Sequence, residues 1–257
     1  MRDLHGPLVP IPSAFVDDTS LVSEVRLARL VRWYRECGAE GFVLNSDLGE
    51  FTALSIEERM AVVEIVQREL QGQMPFLVHL STLSTTQSLY LAQHASRCGA
   101  RAGLLMPPFY YRLRDDELIS FFGTITEHAD LPIILIDPVG LITPGVMEGL
   151  RDIGGLVQAR PLAESPHQAL ALRTRAASDE FWLEDAYSSA MLALTPPTEV
   201  PRGNTLESYR QLFRSGGSLR VVKAGLNLQD RDVGPTRGPF LGLEQDLRDE
   251  LRRLGAG

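Results

Sequence analysis

Pro132-Ile-Ile-Leu-Ile-Asp-Pro-Val-Gly140 and Gly155-Leu-Val-Gln-Ala-Arg160 decide the fold of this chain. Each opens as a short apolar run and ends in polar residues. Runs of this kind, without polar alternation, are strands covered on both faces. Four similar runs precede them: Leu8-Val-Pro-Ile11, Gly41-Phe-Val-Leu44, Phe76-Leu-Val-His-Leu80 and residues 102–106. Segments of helical periodicity lie between, the first over 21–37. Ser55-Ile-Glu-Glu58 and Ser84-Thr-Thr-Gln87 read as capping boxes that open two more helices. Helices are also expected over about 115–129 and 144–150. Right-handed crossovers at this spacing make a parallel sheet. No Gly-x-Gly-x-x-Gly follows the first strand, which disfavours a dinucleotide fold. The expected fold is therefore α/β, a (β/α)8 TIM barrel.

The last third is weaker in pattern. Phe181-Trp-Leu183 and Met191-Leu-Ala-Leu194 are expected to be strands seven and eight. Residues 206–213, 220–228 and 241–254 read as helices. A single domain over 1–257 is expected, with the barrel over 1–195 and a shortened C-terminal helical segment over 196–257.

The net charge of −8 argues against a nucleic-acid partner, which needs a concentrated basic surface. No apolar run reaches the roughly 20 residues of a membrane span, and Met1-Arg-Asp-Leu-His5 lacks a signal-peptide core. A cytoplasmic protein without a membrane partner is expected. Cys37-Gly and Cys98-Gly read as helix ends with glycine caps, not as a disulfide. Lys223 is the single lysine; arginine supplies the rest of the 25 positive charges.

Several stretches resemble the dihydrodipicolinate synthase / N-acetylneuraminate lyase family of (β/α)8 barrels. They are Gly6-Pro-Leu-Val-Pro-Ile-Pro12 with Phe15, Gly41 to Phe51 with Leu54-Ser-x-Glu-Glu-Arg59, Gly99-Ala-Arg-Ala-Gly with Pro107-Pro-Phe-Tyr-Tyr111, and Val222-Lys-Ala-Gly-Leu226 with Asp232-Val-Gly-Pro-Thr-Arg237. The resemblance implies a lysine at the end of strand six that forms an imine with a 2-oxo acid. It implies a proton-shuttling tyrosine at the end of strand five, and two adjacent hydroxyls in the strand-two turn that hold the substrate carboxylate. It also implies a homodimer or homotetramer.

At those positions this chain has other residues. Arg160 stands for the lysine, Ile136 for the tyrosine, and Asp47 with Leu48 for the hydroxyl pair. Leu141 stands where an arginine is usual. A guanidinium stays protonated and forms no imine, isoleucine moves no proton, and Asp47 repels a carboxylate. Lys223 is expected in the C-terminal helical segment, away from the barrel mouth. The resemblance thus implies a member without catalytic residues for Schiff-base chemistry and without a cofactor. A lyase or hydro-lyase of different chemistry on a small 2-oxo or sugar acid is the alternative.

Asp47, Glu50, Tyr110, Asp137 and Arg160 are the candidate binding residues for a small anionic ligand. Arg160 is either an internal salt-bridge partner of Asp47 or Asp137, which is favoured, or an anion clamp. Asp47, Asp137 and Glu184 together could hold a divalent cation, but the spacing does not favour a metal. Glu50 is expected to brace its turn, Tyr110 and Tyr111 to pack at a subunit contact, and His79 to be a satisfied core histidine.

Overall fold

The computed structural model describes residues 8–138, 140–151, 153–161, 170–173, 180–182, 186–195 and 203–255. In chain order the elements begin with β1 (Leu8–Pro10), α1 (Glu24–Glu36), β2 (Gly41–Leu44), α2 (Ile56–Leu70), β3 (Phe76–His79), α3 (Thr85–Arg97) and β4 (Ala102–Leu105). They continue with α4 (Asp115–His128), β5 (Ile133–Leu135), α5 (Pro144–Gly149), β6 (Leu156–Pro161), β7 (Leu170–Arg173) and β8 (Glu180–Trp182). The last four are α6 (Ala186–Leu194), α7 (Gly203–Gly216), α8 (Ser218–Leu228) and α9 (Gln245–Arg253). Among the described residues the chain divides into two compact units, one within Pro75–Asp185 and the other within His5–Met74 together with Ala186–Gly257.

In the Pro75–Asp185 unit, β3 to β6 are parallel neighbours in sequence order. α3 and α4 cross between them, and their inward faces carry Leu91, Ala92 and Ala95, then Leu118, Phe121, Phe122 and Ile125, all buried. The direction then reverses: β7 runs antiparallel to β6 and β8 antiparallel to β7. Chain length explains the reversal. Only residues 162–169 join β6 to β7, and 174–179 join β7 to β8, whereas a parallel crossover takes about a dozen residues or more.

This corrects the expected strands seven and eight. Phe181 and Trp182 belong to β8, and Met191–Leu194 are not a strand but the end of α6. That stretch is rich in alanine, methionine and leucine, the better helix formers. Residues 190–194 are all buried, and a short apolar run gives no period by which to separate buried helix from buried strand.

In the other unit, β1 and β2 are parallel. α1 buries Leu27, Leu30, Val31 and Tyr34, a stripe at helical spacing. The Tyr34 hydroxyl donates to the Ala193 carbonyl of α6. α2 opens with the expected capping box: Ser55 Oγ accepts from the Glu58 amide, and Glu58 reaches back to the Ser55 amide. Ser84 caps α3 by accepting from the Gln87 amide. Cys37 and Cys98 are in no disulfide and close α1 and α3, each followed by a glycine at positive φ. Among the described residues no helix is long and apolar enough to cross a membrane.

A buried ion network ties the C-terminal helices to the turn after β2. Glu50 sits in left-handed backbone with φ of 51°. Its side chain is 0% exposed and that of Lys223, on α8, is 2% exposed. Lys223 Nζ donates to Glu50 Oε1 at 2.7 Å and to the Pro235 carbonyl at 2.7 Å. Glu50 Oε2 accepts from the Arg237 amide at 2.8 Å. The Arg237 guanidinium then pairs with both oxygens of Glu58 at 2.7 and 2.9 Å. The Phe15 ring lies 4.5 Å from Lys223 Nζ and 4.1 Å from Arg237 Cζ, so both cations meet an aromatic face. Gly234 lets the 230–236 loop pass: a Cβ there would fall 2.3 Å from the Phe15 carbonyl oxygen.

A buried pair costs most when half of it is removed. Lys223→Met is expected to destabilise the protein by about 3–5 kcal/mol, because it strands a buried carboxylate. The double variant Glu50→Gln/Lys223→Met is expected to lose less than Lys223→Met alone. Urea denaturation checks this; additive losses in the double variant would refute the coupling.

Candidate functional site

The turn after β2 is set by its backbone. Asn45 takes left-handed φ of 55° and donates from Nδ2 to the Arg59 carbonyl at 3.0 Å, which fastens the turn to α2. Ser13 Oγ donates to the Gly49 carbonyl. Gly49 has no room for a side chain, since a Cβ would lie 3.0 Å from Asn45 Cα and from the Ser46 amide nitrogen. Asn45 Oδ1 is buried there without a hydrogen-bond partner among the described residues.

Asp47 and Leu48 sit at the apex, and they differ sharply. Leu48 is buried. The Asp47 side chain keeps contact with solvent, yet enough protein crowds it that desolvation pushes its carboxyl above the ordinary aspartate range, against a smaller opposing pull from the Leu48 amide. Glu50, the next candidate, has both oxygens engaged within the chain, by Lys223 and by the Arg237 amide. Its geometry is that of a brace, and to hold a ligand it would have to release one of these partners.

Lys223 calls for a correction. It lies on a C-terminal helix as expected, but it is not remote from the strand ends, because its Nζ reaches the turn that follows β2. Burial pulls its ammonium below the ordinary lysine range, and Glu50 opposes that pull. This contact was not anticipated. The signal in the sequence was the lone lysine in a chain that otherwise uses arginine: a compact ammonium fits a buried slot that a guanidinium does not.

In the other unit, His79 at the end of β3 is buried, with Nε2 3.4 Å from Ser81 Oγ. Ser81 Oγ in turn accepts from the Met106 amide at 2.8 Å. Ile136 directly follows β5, is half-buried, and donates its amide to the Leu105 carbonyl. Asp137 accepts from the Leu141 and Ile142 amides at 2.9 and 2.8 Å, one on each oxygen. It shapes the loop into α5. Arg160 lies in β6 opposite Ala171 of β7; its side chain, and Glu184, fall outside the described residues. The expected bridge from Arg160 to Asp47 or Asp137 therefore falls outside them too. Among the described residues no three His, Cys, Asp or Glu side chains group as metal ligands. Tyr110 and Tyr111 are each 71% exposed and meet edge to face at 4.9 Å. They border a cleft of about 610 Å³ with Leu83, Leu113 and Phe121.

The sequence profile of the Dihydrodipicolinate synthetase family matches residues 3–153, more than half of the chain, and stops before β6. A 4-hydroxy-tetrahydrodipicolinate synthase of Pelobacter propionicus is 30% identical over 253 residues, covering 97% of this chain and 79% of its own. An uncharacterised DapA-like lyase of Pyrococcus horikoshii is 33% identical over 150 residues, 58% of this chain and 51% of that protein, so the match spans about half the length of that relative. Among solved structures, dihydrodipicolinate synthase of Agrobacterium tumefaciens superposes with a TM-score of 0.77 at 19% identity, covering 96% of each chain. A catalytic-lysine mutant of Ruminococcus gnavus sialic acid aldolase does so with 0.72 at 18%, covering 96% of this chain and 93% of its own. The fold class is that of these (β/α)8 barrels. By profile and by length of match, the chain belongs to the dihydrodipicolinate synthetase family.

Proposed function

We propose that this family member has lost the Schiff-base aldolase reaction and serves as a binding or partner subunit. One observation carries the reading. The chain has a single lysine, and its amine is spent on Glu50, the Pro235 carbonyl and the face of Phe15. An imine-forming lysine must shed its proton and approach a carbonyl carbon. A depressed ammonium pKa helps the first need. The second is unmet, because Nζ is sealed at 2% exposure.

The other positions support the same reading. Arg160 is no nucleophile, Ile136 carries no proton, and Leu48 donates nothing where a substrate carboxylate would need a hydroxyl. The sialic acid aldolase whose catalytic lysine is mutated still matches this fold, so the barrel does not depend on that amine. Assembly as a homodimer or homotetramer is part of the proposal. The exposed Tyr110 and Tyr111 support it, since large aromatics left in solvent often mark interfaces.

A second reading has one observation in its favour. The Asp47 carboxyl is pushed above the ordinary aspartate range by desolvation, the direction in which a carboxyl is tuned to carry a proton. A lyase or hydro-lyase acting on a small 2-oxo or sugar acid would use it.

Borohydride trapping with pyruvate, followed by peptide mapping, is expected to leave Lys223 unmodified; a reduced adduct at Lys223 would overturn the proposal. Asp47 gives a pH signature. Its folded pKa is raised, so its contribution to stability is greatest below the ordinary aspartate value of about 3.9 and is lost as pH rises through the folded value. Asp47→Asn is therefore expected to melt higher than the parent at pH 7, with the gap closing toward pH 4. Loss of lyase turnover on 2-oxo or sugar acids in Asp47→Asn would favour the second reading, and absence of turnover in the parent the first.

A further inference from the structure

We propose that the cleft framed by α8, α9 and the 230–236 loop is a binding site for a small oxyanion, either a carboxylate or a phosphate. The cleft measures about 510 Å³, within the range that small-molecule sites occupy. Three cations line it: Arg220 and Lys223 from α8, and Arg248 from α9. So do the carboxylates of Asp17, Asp230 and Asp232.

Existing pairs cancel most of these charges. Arg26 takes Asp17 at 2.6 Å and Asp232 at 3.0 Å. Lys223 is matched by Glu50. Arg220 and Arg248 remain without a carboxylate within ion-pair distance among the described residues, and Asp230 is the lining acid outside these pairs. Counted with Arg26 and Glu50, the cleft holds four cations and four carboxylates and is electrically balanced; what sets Arg220 and Arg248 apart is that neither guanidinium is in an ion pair among the described residues.

Arg248 makes the stronger case. Its Nε is buried and has no acceptor among the described residues. A buried donor without a partner is costly, more so on a charged group. The Arg248 side chain as a whole is half-buried, so an oxyanion reaching it from the cleft would draw the guanidinium round until Nε shares the two-pronged geometry that guanidinium prefers. Gly242 leaves space there: a Cβ on it would meet no heavy atom closer than Arg248 Nη2 at 3.9 Å.

The surroundings are built and held. Arg220 stacks on Phe240 at 5.6 Å and gives one N–H to the Gly216 carbonyl, which fixes its guanidinium while leaving other donors free. Asn227 clamps the loop, donating to the Gly234 carbonyl at 2.9 Å and accepting from the Val233 amide at 2.8 Å. The site is distinct from the turn after β2, although Lys223 borders the one and contacts the other.

Titration calorimetry at low ionic strength, with inorganic phosphate and with succinate as separate probes, tests this. One of the two is expected to bind, and which one tells the phosphate from the carboxylate. Arg248→Gln is expected to weaken binding about tenfold or more, the worth of a charged hydrogen bond. Arg253→Gln, on the exposed end of α9, is expected to leave it unchanged. Gly242→Asp, which supplies a carboxylate beside Arg248, is expected to abolish binding while the protein melts no lower. Failure of both probes to bind, or binding of parental strength in Arg248→Gln or Gly242→Asp, would overturn the proposal.

Discussion

The ammonium of Lys223 and the carboxylate of Glu50 are the constraint on which much else rests. Each is nearly sealed from water, and neither would be tolerated there alone. Their contact fixes a residue of α8 against the turn after β2. Arg237 extends the contact through Glu58 to the start of α2, so one chain of charges links the N-terminal cap of a barrel helix to the C-terminal segment. The hydrophobic burial around Phe15 and Leu48 supplies the bulk of the stabilisation. The ion network adds register: it permits one arrangement of these segments and penalises others.

That arrangement bears on chemistry. A lysine held as a structural cation is withdrawn from reaction by the same bonds that make it useful. The turn it supports carries an acid and a leucine at its apex, and the acid is destabilised by its setting. Beside it, Asn45 Oδ1 is buried without a partner among the described residues. A polar atom left unsatisfied in a core is uncommon, and this one lies at the end of a strand, where barrels of this class keep their active sites.

The sequence made the first six strands and the helices between them legible, because continuous apolar runs alternate there with helical periodicity and serine caps. The capping box at Ser55 and Glu58 was readable to the residue, since it depends on local spacing alone. Met191 to Leu194 was not, because four apolar residues carry no period. The antiparallel turn from β6 into β8 was implicit in connections too short for a crossover. The site was legible in part. The residues standing at family positions could be named, but the use of both Glu50 oxygens, and of both Asp137 oxygens by the amides of Leu141 and Ile142, depends on loop paths. Contacts between residues 173 positions apart, as Glu50 and Lys223 are, leave no periodic trace.

A chain with one lysine, and that lysine enclosed, hides its only side-chain amine from the surrounding solution. Amine acylating reagents, reducing sugars and lysine-directed modifying enzymes would find that side-chain amine closed to them on the folded molecule. Lys223 becomes available only when α8 parts from the turn after β2. The rate at which its amine is labelled therefore reports how often that opening occurs, much as amide exchange does for the backbone. The protein carries, in one side chain, a gauge of its own local unfolding.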